Sequence, residues 1–97
     1  MQIREFQNLI KELYLKRDAK RGKEKTMLWF IEEIGELAEA VRKNDLNSIG
    51  EEMADVFAWL VSLANLYDID LEEEVKKKYP GYCLRCGKKP CECEEIM

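Results

Sequence analysis

Residues 26–67 read TMLWFIEEIGELAEAVRKNDLNSIGEEMADVFAWLVSLANLY, and this stretch decides the fold. Leu28, Ile31, Ile34, Leu37, Ala38 and Val41 recur at three- and four-residue steps, the spacing of one helix face, and predict a helix over residues 26–43. Asn44-Asp45 is a short turn. A second helix follows, opening at Leu46 with Asp45 as N-cap, or at Ile49 with Ser48 and Glu51 as a capping box, and running to about Tyr67. Residues 56–66 are apolar nearly all round, so this half should be buried on several sides. So short a connection makes the pair antiparallel.

Each of these helices carries an acid-acid-x-x-acid pattern: Glu32, Glu33 and Glu36 on the first, Glu51, Glu52 and Asp55 on the second. Three- and four-residue steps put each set on one arc of its helix. Glu33 and Glu36 precede Asn44 by the same distances at which Asp55 and Glu52 follow it, so the clusters should lie at one height. Trp29 and Trp59 are symmetric about Asn44 in the same way, and each stands four residues from an acid. Two carboxylates about 5 Å apart repel by roughly 3 kcal/mol at an effective dielectric near 20. Facing acids must therefore raise their pKa values or hold a cation, and an all-oxygen donor set suits a hard ion, Mg²⁺ or Mn²⁺. A solvated acidic face and ordinary core packing of the Trp residues are the simpler readings. The functional one is a metal site beside an aromatic face on which a nucleobase stacks.

Outward from this hairpin, Ile3, Phe6, Leu9, Ile10 and Leu13 predict an amphipathic helix over residues 3–17. Residues 16–25, KRDAKRGKEK, hold six basic residues around Gly22 and read as a solvated connection. Asp70 and Glu73 form a cap signal for a short fourth helix, Leu71 to about Tyr79, ended by Pro80-Gly81. The expectation is an all-α, antiparallel bundle of four helices over residues 1–79, with a cysteine-rich tail over 80–97. A helix as apolar as the third in a chain of 97 residues points to burial between subunits and a homo-oligomer.

Composition narrows the chemistry. Apolar residues are 46% and charged residues 37%, enough apolar side chain for a core. There is no histidine, which excludes Ser-His-Asp and Cys-His catalysis, HExxH zinc proteases and Glu-x-x-His di-iron bundles. A formal charge of −4 argues against a nucleic-acid partner held by phosphate neutralisation. No stretch is long and apolar enough to span a membrane, and Met1–Phe6 lacks signal-peptide character; with the cysteines clustered in one place, a reducing, cytoplasmic setting is expected.

All four cysteines, Cys83, Cys86, Cys91 and Cys93, lie within eleven positions. Cys83-x-x-Cys86-Gly has the form of a zinc knuckle, and four thiolates suit a closed, structural Zn²⁺ site. An iron–sulfur cluster, or free or partly oxidised thiols, are the alternatives.

EEIGE (Glu32–Glu36) and EMAD (Glu52–Asp55), with the passage LANLYDIDLEEEVKKKY, resemble the EExxE…ExxD signature of MazG-like nucleotide pyrophosphohydrolases, of the all-α NTP pyrophosphatase superfamily. The resemblance covers residues 1–79; the cysteine tail departs from it. It implies a dimeric or tetrameric helical bundle that hydrolyses a nucleoside triphosphate between the α- and β-phosphates, giving a monophosphate and pyrophosphate. Glu33, Glu36, Glu52 and Asp55 would bind Mg²⁺, and Glu32 would be a second-metal ligand or the water-activating base. Lys76, Lys77 and Tyr79 would contact substrate, with Trp29 and Trp59 beside the base. A phosphoribosyl-ATP-type hydrolase, and a non-catalytic adaptor whose zinc tail binds a protein or nucleic acid, are the competing readings.

Overall fold

The computed structural model describes residues 1–94, so the last three positions of the 80–97 tail lie outside the described residues. The chain runs α1 (Ile3–Arg21), α2 (Lys23–Lys43), α3 (Leu46–Leu66) and α4 (Leu71–Lys78), followed by an irregular tail. All elements are helical among the described residues, and no helix is long and apolar enough to cross a membrane.

The α2–α3 hairpin is the centre of the molecule. Asn44 takes a left-handed conformation (φ 56°) and its N–H donates to the Val41 carbonyl at 3.0 Å, closing α2. Asp45 then caps α3, its carboxylate accepting from the Ser48 N–H at 3.4 Å and the Ser48 hydroxyl at 3.0 Å. Of the two start points that the sequence allows, Leu46 is therefore the one used. The hairpin is antiparallel, since Trp29 meets Trp59 and Glu33 and Glu36 meet Glu52.

Helix α1 packs on α3 through stacked Phe6 and Phe57 rings, 5.4 Å apart, and through buried Ile10. A polar knot lies beside this stack. The Gln7 side-chain amide donates to Asn65 Oδ1 at 3.0 Å and to the Ile69 carbonyl at 2.6 Å, while its oxygen accepts from the Leu71 N–H at 3.1 Å. Gln7 is buried, so these bonds satisfy groups that would otherwise be costly to desolvate. They also fix the start of α4, which Asp70 caps through the Glu73 N–H. Arg4 adds ion pairs to Asp70, Glu72 and Glu73 at 2.9 to 3.2 Å.

The solvated connection expected at residues 16–25 is not one. Helix α1 continues to Arg21 and α2 starts at Lys23, leaving Gly22 alone between them. Lys and Arg are good helix formers, so a basic run without apolar residues still extends a helix when neighbours receive it. Asp18, inside that run, and Thr26, just after it, are buried. Gly22 makes the break possible: its backbone (φ 90°, ψ 162°) is a conformation that side chains resist, and it ends α1 while starting α2.

The apolar half of α3 is only partly enclosed within one chain. Val61 is fully buried and Ala64 nearly so, but Phe57 and Leu60 remain about 40% and 37% exposed.

Candidate active site

Ordinary helical geometry assembles the acids. Glu33 and Glu36 share one arc of α2, and Glu52 faces them from α3. One carboxylate oxygen from each of the three lies within 4.8 Å of the others. Glu33 Oε2 and Glu52 Oε2 are shut off from solvent without a hydrogen-bond partner among the described residues. Buried anionic oxygens are normally satisfied, so two such orphans within one acid trio mark a place built for something positive. Desolvation, followed by the charges of Glu36, Asp55 and Glu52, pushes the Glu33 carboxyl above the usual carboxylate range. Glu52 is raised by desolvation and then by Glu36 and Asp55.

Asp55 is near enough to act on Glu33 and Glu52, yet its carboxylate is not part of the close trio. It lines instead a cleft of about 270 Å³ between α1 and α3, with Trp59, Arg21, Asp18 and Ser62 around it. Asp55 thus joins the acid cluster to a cavity large enough for a ring. Glu32 is exposed on α2.

The two Trp residues meet edge to face, with centroids 5.8 Å apart at 66°. Between them sits a residue that the sequence reading missed. The Arg21 guanidinium lies 4.8 Å from both ring centroids, held by Asp18 Oδ1 at 2.9 Å and by Thr26 Oγ1 at 3.3 Å. Arg17, Lys20, Arg21 and Lys25 line an adjoining open cleft with Trp29 and Trp59. Part of the signal was available: Arg17 and Arg21 share one face of α1, and Lys25 and Trp29 one face of α2, but the break at Gly22 interrupts the period between the two pairs.

Lys76 and Lys77 pair with Glu72 and Glu74 of their own helix at 3.7 and 3.3 Å. Tyr79 is exposed and lines a groove of the tail. None of the three lines the cleft beside Asp55 or the basic cleft beside the Trp pair.

In the tail the Sγ atoms of Cys83, Cys86, Cys91 and Cys93 converge within 4.8 Å of one another. Backbone N–H groups of Cys86 and Arg85 bring the Cys83 thiol down to about 6, whereas Cys91 and then Cys83 and Cys86 push Cys93 up to about 12.

A carboxylate cage and an aromatic pair on the α2–α3 hairpin, with a basic cleft completed by the end of α1, can hold a divalent cation, a flat ring and an anion. Among curated proteins none matches the chain. The profile of the MazG nucleotide pyrophosphohydrolase domain matches residues 21–82, which takes in the acid cluster, both Trp residues and α4 and stops just short of Cys83. That span is well over half of the sequence, and the chain belongs to the MazG nucleotide pyrophosphohydrolase domain family.

Proposed function

We propose that the protein is a Mg²⁺-dependent pyrophosphohydrolase of nucleoside triphosphates, cleaving between the α- and β-phosphates to release a nucleoside monophosphate and pyrophosphate. The observation that carries this reading is the pair of buried, unpartnered oxygens of Glu33 and Glu52 inside the family's motif. The donor set fits the ion: oxygens only, on rigid helices, with no imidazole or thiolate within the cage. Mn²⁺ would fit the same cage.

Glu33, Glu36 and Glu52 would hold the metal, and Asp55 would complete the set by turning from the cleft wall. Bound there, the metal supplies charge neutralisation on the phosphates and a more acidic water. The chain's own groups do the rest. Glu32, next to Glu33 in the sequence, would take the proton of the attacking water or bind a second ion. Trp29 and Trp59 would offer their faces to the base, with Arg21 fixing their mutual angle. Arg17, Lys20 and Lys25 would draw the polyphosphate in, offsetting its repulsion by the acids. Lys76, Lys77 and Tyr79 would contact substrate as the resemblance implies.

A homo-oligomer belongs to the same proposal. Leu28 and Ile31 on α2 are 62% and 52% exposed and Met53 on α3 is 55% exposed, with Phe57 and Leu60 beside them. So much apolar surface on the helices that carry the acids calls for a cover, and a second copy supplies one.

Separating the nucleotide products of a triphosphate tests the reaction. Monophosphate with pyrophosphate supports it. Diphosphate with inorganic phosphate would place the cleavage at the wrong bond.

A further inference from the structure

Within the tail, the structure holds a second constellation that the proposed reaction does not use. Cys83 and Cys93 bring their sulfurs to 3.7 Å, and all four thiols are free. With metal–sulfur bonds of about 2.3 Å, the sulfurs of a tetrahedral thiolate site stand about 3.8 Å apart along each edge. The observed separation is that edge, and it is far longer than a disulfide bond of about 2.05 Å. The backbone is wrapped to match. Gly87 (φ 73°) turns the chain so that its N–H donates to the Cys83 carbonyl at 2.7 Å, while the Cys83 N–H donates to Lys88 O at 3.0 Å. The N–H of Glu92 points at Cys86 Sγ and that of Cys93 at Cys91 Sγ, each at 3.4 Å. Hydrogen bonds of this kind stabilise sulfur that carries negative charge.

Tyr82 and Leu84 are 52% and 58% exposed, and the described tail contains neither helix nor strand. A segment with no core needs a crosslink to offset its conformational entropy. Four thiolates around a divalent ion carry a net charge of about −2, and the basic residues Arg85 and Lys89 stand in the same groove as Cys83 and Cys91.

We infer that Cys83, Cys86, Cys91 and Cys93 form a tetrahedral zinc site that folds residues 83–93 independently of the carboxylate cage. Four protein sulfurs leave no position for water, so the ion is structural. The site folds the tail because binding and ordering are one event in a segment of this kind.

The experiment is metal analysis of the full chain, with Co²⁺ replacement as the probe of geometry. One zinc per chain, released when a mercurial blocks the thiols, is expected. The Co²⁺ form should show the visible bands of tetrahedral tetrathiolate coordination. Cys83→Ser and Cys91→Ser should each lose the zinc while far-UV circular dichroism keeps the helical signal. Glu36→Gln should keep the zinc, which separates this site from the cage. Iron with acid-labile sulfide, a disulfide found by mass spectrometry, or four thiols that alkylate freely in zinc-supplemented protein would each overturn the assignment.

Discussion

Glu33 on α2 and Glu52 on α3 face each other across the hairpin, each with an Oε2 atom closed to solvent and without a donor among the described residues. Neither helix gains stability from this arrangement, because like charges brought together and desolvated oppose folding. The hairpin tolerates it because the cost is local, while Val61, Ala64, Ile10 and the Gln7–Asn65 knot hold the helices from elsewhere.

Removing one acid should therefore separate stability from activity. Glu36→Gln deletes a charge that raises both Glu33 and Glu52, so the metal-free protein should melt at a higher temperature. The same variant, and Asp55→Asn, should lose turnover by more than about 100-fold, since both would remove a metal ligand. Thermal melts in EDTA beside pyrophosphate release check this. A variant that melts lower and still turns over at the wild-type rate would contradict the ligand assignment.

The pH dependence follows from the same pair. Glu33 and Glu52 titrate above the usual carboxylate range in the folded chain. Their contribution to stability is fully present below the unfolded carboxylate pKa of about 4.3 and is lost as pH rises through their raised folded values. Mg²⁺ needs both groups ionised, so the rise in melting temperature on adding Mg²⁺ should grow as pH climbs from the ordinary carboxylate pKa of about 4.3 through their raised values. Differential scanning fluorimetry with and without Mg²⁺ reads it directly. An equal shift at both ends of that range would mean that the ion binds elsewhere.

Gly22 is the one residue between two long helices, and its backbone is nearly exclusive to glycine. A Cβ built there meets nothing within 4 Å, so Gly22→Ala costs backbone strain alone, about 1–3 kcal/mol. Denaturant titration should show that loss. Rearrangement of the hinge should also move Arg21 from the Trp pair and change tryptophan emission.

Arg21→Ala should leave Asp18 buried without its cation, at a cost of about 3 kcal/mol. It should also raise KM for nucleotide more than it lowers kcat, because Arg21 orders the aromatic face and does not touch the carboxylate cage. Steady-state kinetics separates the two parameters, and a pure kcat effect would place Arg21 in the chemistry instead.

Much of this hairpin was legible because its symmetry about Asn44 fixes acids and Trp residues at matching heights with no further information. The basic run reads as a connection because it lacks an apolar stripe; most of it is exposed, but it is helical on both sides of Gly22, and Arg21 turns its charge onto Asp18 and two ring faces. Gln7 was invisible for a related reason. Between Phe6 and Asn8 it has the look of a surface residue, and only the return of Asn65 and Leu71 from far along the chain makes it a buried link. The place of Asp55 depends on which way a side chain turns, and helical periodicity fixes the arc but not the rotamer.

The most direct test of the account is pyrophosphate release from a panel of ribo- and deoxyribonucleoside triphosphates, with Mg²⁺ and with EDTA. Pyrophosphate and the matching monophosphate are expected from at least one of them, abolished by EDTA and restored by excess Mg²⁺. No turnover of any triphosphate, in folded protein whose melting temperature responds to Mg²⁺, would contradict it and leave a metal-binding helical module without this chemistry.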